Sequence, residues 1–339
     1  MISSSSIGIL LLVVAGLSAG MGSTPIKFMR QYRYEHWALV SALLGMVVLP
    51  WMCAFALCPD LFQGLSRVPF PVYLKANLCS LAWGVANVLC GLCLVRIGFS
   101  LTTGILTGVG LPVGILLPMI WKGSGQFSEA PSFFSPTGMA LLGITALLVV
   151  SVVLMTYAGY LREQKPEGNR GIVKGLFMAT SAGVLQVGLS FAFIYSQGPL
   201  MDSLKAGGAS ESGAMTAVWA VTLPGGAFVN IVFPLLLLWR NKNFGTLSFQ
   251  RDFLLSLTMG LPFLLLVLCM GNGMRMLGPL GASLGFGLYQ GVQILSSQGV
   301  GVIFGEWRGS PRVPRFLMAL GILLTLLGVV GMAWMKKGS

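Results

Sequence analysis

Long apolar segments separated by short polar connectors run along the whole chain. Ten of these segments have about the 20 residues that a helix needs to cross a bilayer, so the pattern predicts ten transmembrane helices. The predicted helices cover approximately Ser6 to Pro25, Trp37 to Cys58, Val72 to Val95, Phe99 to Trp121, Gly138 to Leu161, Ile172 to Ser196, Ala214 to Trp239, Phe253 to Met274, Leu280 to Phe304 and Phe316 to Trp334. No connector exceeds about 17 residues, which leaves no room for a soluble catalytic domain between helices.

The composition agrees with an all-α polytopic membrane protein. Charged residues make up 9% of the 339 residues, whereas a soluble domain has about 25%. Hydrophobic residues make up 55%, and the mean hydropathy is +0.85. We therefore expect any function to lie in the helices or at their ends.

Two copies of one glycine pattern suggest a duplicated chain. The pattern G-x-x-x-G-x-G-x-x-x-G occurs at Gly104/Gly108/Gly110/Gly114 and again at Gly281/Gly285/Gly287/Gly291. A polar linker at 162–170 divides the ten helices into five plus five, which gives one five-helix repeat at residues 1–161 and a second at residues 171–339. An odd number of helices per repeat inverts the second copy in the membrane. Inverted repeats are a recurrent plan of secondary transporters, with the substrate near the midplane.

The same glycines predict a mechanical role. In lipid, small residues at this spacing let two helix backbones approach closely. We therefore expect the glycine-rich helices to pack tightly against their partners and to let the two halves pivot. On this hypothesis, leucine in place of Gly108 or Gly285 abolishes transport.

The distribution of basic residues predicts the orientation of the chain. Most of the 21 Lys and Arg residues follow odd-numbered helices, among them Lys27, Arg162, Arg240 and Arg312. By the positive-inside rule, the odd-numbered connectors are cytoplasmic and both termini lie outside. The net charge of +12 therefore reflects topology and contact with the lipid bilayer rather than binding of nucleic acid.

All nine acidic residues lie in connectors or at the ends of predicted helices. They are Glu35, Asp60, Glu129, Glu163, Glu167, Asp202, Glu211, Asp252 and Glu306. An ionisable group at mid-membrane depth would mark a proton relay or the counter-ion of a cationic substrate. The absence of such groups from the predicted helix centres favours a neutral, hydroxyl-bearing substrate.

Polar and aromatic side chains that could hold this substrate recur at helical spacing. The candidates for substrate binding are Trp83 and Asn87 in the third helix, Thr103 and Thr107 in the fourth, Gln186 with Ser190 in the sixth, Asn230 in the seventh, and Gln290 and Gln293 with Ser297 in the ninth. Asn87 and Gln290 lie nearest the expected midplane site. The alternative is that these groups only bond across helices, at about 0.6 kcal/mol each.

Glu35 stands beside His36, the single histidine, and this pair is the candidate for coupling to a proton. The alternative is that Glu35 is an acid at a helix N-terminus, where the macrodipole favours it. Cys90 and Cys93 have no histidine or carboxylate beside them, and we expect the cysteines to pack as small hydrophobes. The sequence predicts no metal site and no cofactor.

Short motifs spread along nearly the whole chain carry a family resemblance. In chain order they are Pro25-Ile-Lys27, Tyr34-Glu35, Leu49-Pro50-Trp51, Trp83-Gly84-Val-Ala-Asn87, Arg96 before Gly98, Gly225-Gly226-Ala227-Phe-Val-Asn230 and Glu306-Trp307. In this order they resemble the L-rhamnose/proton symporter family, a ten-helix branch of the drug/metabolite transporter superfamily.

The resemblance implies a bacterial inner-membrane symporter that imports a small neutral sugar, L-rhamnose or a related deoxyhexose, with a proton by alternating access. Two features depart from the family pattern. The stretch from Gly278 to Gly291 is glycine-rich where the rhamnose carriers are rich in aromatics, which leaves room for another sugar or polyol. The matching acids, Glu35 and Glu306, flank membrane ends rather than the midplane.

Three alternatives stay open at this point. The coupling ion could be sodium, and the chain could export amino acids or other small metabolites, as elsewhere in the superfamily. A membrane-embedded enzyme or a structural subunit is the third alternative. The sequence offers no paired-carboxylate, Ser/His or metal constellation at membrane depth, which argues against an enzyme.

Overall fold

The computed structural model describes residues 3–97, 99–163, 172–248 and 250–337. Every regular element in these ranges is a helix. The long helices are labelled α1 (Ser4–Met21), α2 (Tyr34–Leu57), α3 (Phe70–Ile97), α4 (Phe99–Ile120), α5 (Pro136–Glu163), α6a (Ile172–Leu185), α6b (Gly188–Ala206), α7a (Glu211–Thr222), α7b (Pro224–Asn241), α8 (Arg251–Met276), α9 (Phe286–Ile303) and α10 (Arg312–Lys337). Most of the predicted polar linker, residues 164–170, lies outside the described residues.

The helices are those of a multi-pass membrane protein. Within the described residues, eight helical stretches are long and apolar enough to cross a membrane, and the bent pair α7a and α7b makes nine if it counts as one span. Helices α6a and α6b together form one of the eight. Helix α9 lies outside this set because its glutamines, Gln290, Gln293 and Gln298, lower its hydropathy. Each of the ten predicted segments is nevertheless helical in the residues described.

Several long helices depart from regular geometry at defined positions. Helix α2 contains a π-helical segment at Leu43–Val48, and a π-helical turn at Gly281–Gly285 leads into α9. Helices α7a and α7b meet at an angle of 43° immediately before Pro224. Proline has no backbone N–H to donate, which explains the bend. Single π-helical turns are rare and are found mostly at functional sites.

Side chains of α3 bond the backbone groups that the bend in α7 leaves free. The Asn77 Nδ2 donates to the Val221 carbonyl at 3.1 Å, and its Oδ1 accepts from the Gly225 N–H at 2.8 Å. The Ser80 Oγ accepts from the Gly226 N–H at 2.9 Å. An unpaired backbone group in lipid costs several kcal/mol. These bonds therefore make the bend tolerable and fasten α7 to α3.

The helices form two bundles, and each bundle draws helices from both sequence halves. In the first bundle, α1 packs on α8 and α9, and α2 packs on α8. In the second bundle, α6a and α6b pack on α3, α6a also packs on α4, and α7b packs on α3. The bundles meet where α2 packs on α7a and α7b and where α4 packs on α9, while α5 and α10 pack on each other.

A pair of glycines brings two backbones together inside each bundle. A Cβ atom added to Gly45 of α2 would lie 3.1 Å from the Cα of Gly260 in α8. A Cβ atom added to Gly84 of α3 would lie 3.1 Å from the Cα of Gly226 in α7b. At Gly84 and Gly226 the nearest atoms to such a Cβ lie at 2.8 Å and 2.6 Å, so only glycine fits on both sides of that crossing. At Gly45 and Gly260 the nearest atoms lie at 3.1 Å and 3.0 Å, so a larger residue would require its neighbours to shift by a few tenths of an ångström.

The glycines of the repeated pattern serve different contacts. A Cβ atom on Gly110 of α4 would lie 2.8 Å from the Gly183 carbonyl oxygen in α6a. Gly287 of α9 faces α4 and α10. By contrast, a Cβ atom on Gly108 would meet only Val152, at an ordinary 3.6 Å. The tight packing that the sequence predicted at Gly108 is therefore absent, whereas Gly104, Gly110 and Gly114 of α4 are all closely packed.

We expect Gly110→Leu to destabilise the folded protein by about 1–3 kcal/mol or more, because a side chain there has no space beside α6a. Gly108→Leu is the matched control, two residues away on the same helix, and should be much better tolerated. Thermal unfolding of the two purified variants measures the difference. Equal melting temperatures would contradict the packing described for α4.

Candidate functional site

An aromatic pair joins the two bundles near the middle of α3 and α8. The ring of Trp83 in α3 stacks on the ring of Phe263 in α8, with centroids 5.8 Å apart and an interplanar angle of 24°. Trp83 also lies against Gly226 of α7b. Offset stacking of this kind is favourable beyond the area that it buries. The candidate Trp83 therefore lies at the boundary between the bundles.

A cleft lies beside Phe263, within the first bundle. It has a volume of about 190 Å³ and lies between α1, α2 and α8. Its lining residues are Ser18, Ala19, Gly22, Ser41, Met46, Met259, Phe263 and Leu266. Sequence reasoning selected none of these residues. The small and polar residues of α1 and α2 that line the cleft can be seen in the sequence. Their spacing does not show that they surround a cleft, because the cleft forms only when α1, α2 and α8 pack together.

Two candidate amides of the second bundle bond to each other. The Asn87 Nδ2 donates to the Asn230 Oδ1 at 3.3 Å, and the Asn230 Nδ2 donates to the Gly226 carbonyl at 2.9 Å. Because Asn87 follows Trp83 by one helical turn, the structure brings Trp83, Asn87 and Asn230 together. The Asn87–Asn230 bond also connects α3 to α7b, so these amides hold two helices of the second bundle together.

Gln186 lies at the turn between α6a and α6b and bonds to another helix. Its Nε2 donates to the Leu106 carbonyl of α4 at 2.7 Å. Ser190, one turn later, is buried. Both residues therefore pack within the second bundle, and the geometry assigns Gln186 a structural bond between α6 and α4.

The amides of α9 are bonded differently from those of the second bundle. The Gln293 Oε1 is buried and has no hydrogen-bond partner among the described residues. Gln290 is 7% exposed on the same helix. A buried acceptor without a partner costs about 1–3 kcal/mol. A ligand hydroxyl would remove this cost, so α9 presents the amide that is best prepared to bind one.

The hydroxyls of α4 and α9 occupy different environments. Thr103 and Thr107 are half-buried on one face of α4, whereas Ser297 of α9 is exposed. Thr102, which sequence reasoning passed over, is fully buried, and its Oγ1 has no partner among the described residues. Thr102 is buried because of how α4 packs on its neighbours, and the spacing of polar residues along the sequence does not predict that burial.

The coupling candidates are buried in a polar cluster at one end of α2. Glu35 is 5% exposed, and its Oε1 accepts from the amides of Asn241 at 3.1 Å and Asn243 at 3.3 Å. No Lys or Arg side chain pairs with Glu35 in the described part of the chain. The carboxylate is therefore stabilised by amides alone.

His36 is 1% exposed, and both of its ring nitrogens are bonded. Its Nδ1 accepts from the Arg33 N–H at 3.1 Å, so its Nε2 carries the hydrogen and donates to the Asn243 carbonyl at 3.1 Å. These bonds fit the neutral imidazole.

Asp252 clamps the connector between α1 and α2 onto α8. Its Oδ2 accepts three backbone N–H groups, from Arg30 at 2.9 Å, Gln31 at 2.6 Å and Tyr32 at 3.0 Å. The side chain is 5% exposed. Hydrogen bonds to an ionised acceptor are about twice as strong as neutral ones. Sequence reasoning took Asp252 for an ordinary acid at a helix end, because its partners lie about 220 residues away.

Ion pairs connect the chain segments at both ends of the helices. At the end that holds Asp252, Lys27 pairs with Glu306 at 2.6 Å, and Arg162 lies 3.8 Å from the same carboxylate. At the other end, Glu211 of α7a pairs with Arg275 of α8 at 2.5 Å. Exposed ion pairs contribute about 0–1 kcal/mol each, so these contacts can break and re-form as the protein changes conformation.

The described residues hold no group of three His, Cys, Asp or Glu side chains that could bind a metal ion. Cys90 is half-buried and Cys93 is buried, and neither is in a disulfide with another described residue. Their surroundings are those of packed helices. The site is therefore composed of amides, hydroxyls and aromatic rings.

We expect Asp252→Ala to lower the melting temperature strongly, because it leaves three N–H groups without an acceptor at about 1–3 kcal/mol each. Asp252→Asn keeps one acceptor oxygen and should lose less. Asp202→Ala, which removes an exposed acid from α6b, is the matched control. Thermal unfolding of the three purified variants gives the order, and an Asp252→Ala protein as stable as the control would exclude the clamp.

The sequence and the fold are both similar to known proteins. A family model described as L-rhamnose-proton symport protein (RhaT) matches residues 1–335. Proteins named L-rhamnose-proton symporter from Yersinia pestis (strain Pestoides F) and Yersinia pseudotuberculosis serotype O:1b (strain IP 31758) are 27% identical over 345 residues, which cover 96% of this chain and 97% of theirs. A protein of the same name from Citrobacter koseri is 26% identical over the same share.

A solved structure, described only as the crystal structure of a protein, has a similar fold. Its TM-score is 0.58, and the match covers 99% of this chain and 100% of that one. The two sequences are 13% identical. This likeness concerns the fold alone.

Proposed function

Because the chain belongs to the L-rhamnose-proton symport protein (RhaT) family, we propose that it imports L-rhamnose, or a closely related deoxyhexose, together with a proton. The family consists of symporters, so the chain is a transporter and not an enzyme. The observation that carries the proposal is the match of the family model over residues 1–335. The relatives are named for symport, which gives no support to the exporter alternative.

The packing of the helices supports ten spans arranged as two inverted five-helix repeats. If α1 to α5 correspond to α6 to α10, the contacts of α1 with α8 and α9 correspond to those of α6 with α3 and α4. The contact of α2 with α8 likewise corresponds to that of α7 with α3. The glycine pair Gly45 and Gly260 then has its counterpart in Gly226 and Gly84. This agreement is expected of a pseudo-twofold axis in the membrane plane.

The same packing defines the units that move during transport. The tight glycine crossings lie inside the bundles, and the bundles meet through the Trp83–Phe263 pair and through α2 against α7. Alternating access in repeat transporters is largely rocking of one rigid unit against another. We therefore assign the movement to the two bundles, each of which contains helices of both sequence halves.

The orientation that we propose places the connectors after odd-numbered helices in the cytoplasm and both termini outside, in a bacterial inner membrane. The Lys27–Glu306 pair supports a shared face for two of these connectors, and the Asp252 clamp brings α8 to the same face. That face carries most of the basic residues, as the positive-inside rule requires. The ion pair and the clamp hold these connectors together.

The residues that we propose for sugar binding line the boundary between the bundles. Trp83 offers an aromatic face, and Gln290 and Gln293 of α9 offer amides. Asn87 and Asn230 complete this set, although their mutual bond must open or share an acceptor when the sugar binds. The unsatisfied Gln293 Oε1 supports its role most directly.

We expect Gln293→Leu to weaken L-rhamnose binding about 5- to 100-fold, because a buried sugar hydroxyl loses its partner at about 1–3 kcal/mol. The melting temperature should stay unchanged or rise, since the variant removes a buried unpaired acceptor. Gln186→Leu is the control, and we expect it to lower the melting temperature because it breaks the bond to Leu106. Calorimetric titration and thermal unfolding separate the two effects; unchanged sugar affinity in Gln293→Leu would move the site elsewhere.

For proton coupling we propose Glu35, which is buried, carries no basic partner in the described residues and is held by two amides. His36 is the weaker candidate because both of its nitrogens are already bonded. Protonation of Glu35 would weaken its hold on Asn241 and Asn243, and so loosen α2 from the end of α7b. This links the proton to the contact between the two bundles.

Purified protein in proteoliposomes should accumulate labelled L-rhamnose when the outside is more acidic than the inside. A protonophore should reduce the sugar to its equilibrium level, and a sodium gradient alone should drive no accumulation. Glu35→Gln should still exchange sugar between the two sides but should lose accumulation driven by the pH gradient. Sugar accumulation that follows sodium, or a Glu35→Gln variant that still concentrates sugar, would contradict the corresponding part of the proposal.

A further inference from the structure

The first bundle contains open space between its helices. The cleft between α1, α2 and α8 measures about 190 Å³. In the second bundle, the rings of Phe193 and Trp219 stack with centroids 4.8 Å apart, and both side chains are fully buried. Protein interiors are close-packed, so space of this size inside a helix bundle is a place where a ligand can be held.

The size and lining of the cleft select a small amphipathic molecule. Pockets for drug-sized ligands measure about 300–1,000 Å³, so this cleft admits one small ring. Its hydroxyls come from Ser18 and Ser41, and most of the remaining lining is apolar, including Met259 and Leu266. None of its eight lining residues is charged. An ionic ligand would therefore lack a counter-charge there.

We propose that this cleft holds the transported sugar, with Ser18 and Ser41 bonding its hydroxyls and the ring of Phe263 packing on its apolar face. A 6-deoxyhexose carries hydroxyls on part of its surface and a methyl group on another part. The cleft likewise has serine hydroxyls on part of its lining and apolar side chains on most of the rest. This inference rests on the proposed function. None of the amides of α3 and α9 lines the cleft, so the cleft is a position for the sugar separate from those amides.

The backbone geometry of α2 shapes the cleft. Met46 belongs to the π-helical segment Leu43–Val48, and its neighbour Gly45 packs against Gly260 of α8. The π-helical turn changes the direction of the side chains between Ser41 and Met46, which a regular helix would place differently. The close glycine contact keeps this wall in place while the cleft stays open.

Phe263 connects the cleft to the second bundle. Its ring lines the cleft and also stacks on Trp83. A sugar against Phe263 restricts the positions that this ring can take, and the stacked Trp83 of α3 has to accommodate them. A ligand shifts a conformational equilibrium by its differential contacts with the two states. The position of the Trp83–Phe263 pair would therefore differ between the empty and the occupied cleft.

Calorimetric binding of L-rhamnose to the purified full-length chain tests the site. We expect Ser41→Ala and Phe263→Leu each to weaken binding about 5- to 100-fold, because a sugar hydroxyl or ring face loses its partner. Thr258→Ala is the matched control, since this exposed hydroxyl lies beside Met259 on α8 but does not line the cleft. It should bind the sugar as the unsubstituted chain does. Melting temperatures establish that every variant is folded.

Ser41→Cys gives a second, direct measurement. L-rhamnose should slow the modification of this cysteine by a small thiol reagent at least several-fold, relative to the native cysteines measured in the unsubstituted chain. If the unsubstituted chain binds L-rhamnose, but Ser41→Ala and Phe263→Leu bind it equally well and Ser41→Cys is not protected, the cleft is not the sugar site and the proposed function stands. If the unsubstituted chain binds no deoxyhexose, the proposed function is overturned, and this site with it.

Discussion

Close approach of helix backbones is the constraint on which the rest of this structure depends. Lipid provides no hydrophobic force between helices, so packing has to come from surfaces that fit closely. Gly45 against Gly260 in the first bundle and Gly84 against Gly226 in the second are two of the contacts that supply this fit. Beside the first of these crossings lies the cleft of about 190 Å³ between α1, α2 and α8.

The sequence predicted where the helices lie along the chain, but not which residues of each helix contact its neighbours. Apolar segments of bilayer length predicted helices that the described residues contain, and eight of these helical stretches are long and apolar enough to cross a membrane, because membrane insertion depends on local hydropathy. Trp83 and Asn87 were correctly placed on one face of α3, since helical spacing alone decides this. The expectation of tight packing at Gly108 was wrong, because which glycine of a pattern meets a neighbour depends on the rotation of the packed helix.

The features that sequence reasoning missed depend on contacts between distant segments. Asp252 accepts hydrogen bonds from backbone N–H groups about 220 residues away in the chain. Nearly every residue has a backbone N–H, so residue types do not indicate which ones Asp252 binds. The cleft is defined by volume that its neighbours leave empty, with Ser18 and Ser41 as its only hydroxyls. Neither feature produces a repeating pattern of residue types, so a single sequence does not reveal it.

The bonds from Asn77 and Ser80 to the bend of α7 have a consequence for how the protein is made. Alone in lipid, α7 would carry free backbone groups at its bend, so it is a poor membrane helix by itself. Helix α3 precedes α7 in the chain and is synthesised first. Helix α3, which bonds the free backbone groups of α7, is therefore already in the membrane when α7 is inserted. The order of synthesis thus helps the bent helix α7 to insert.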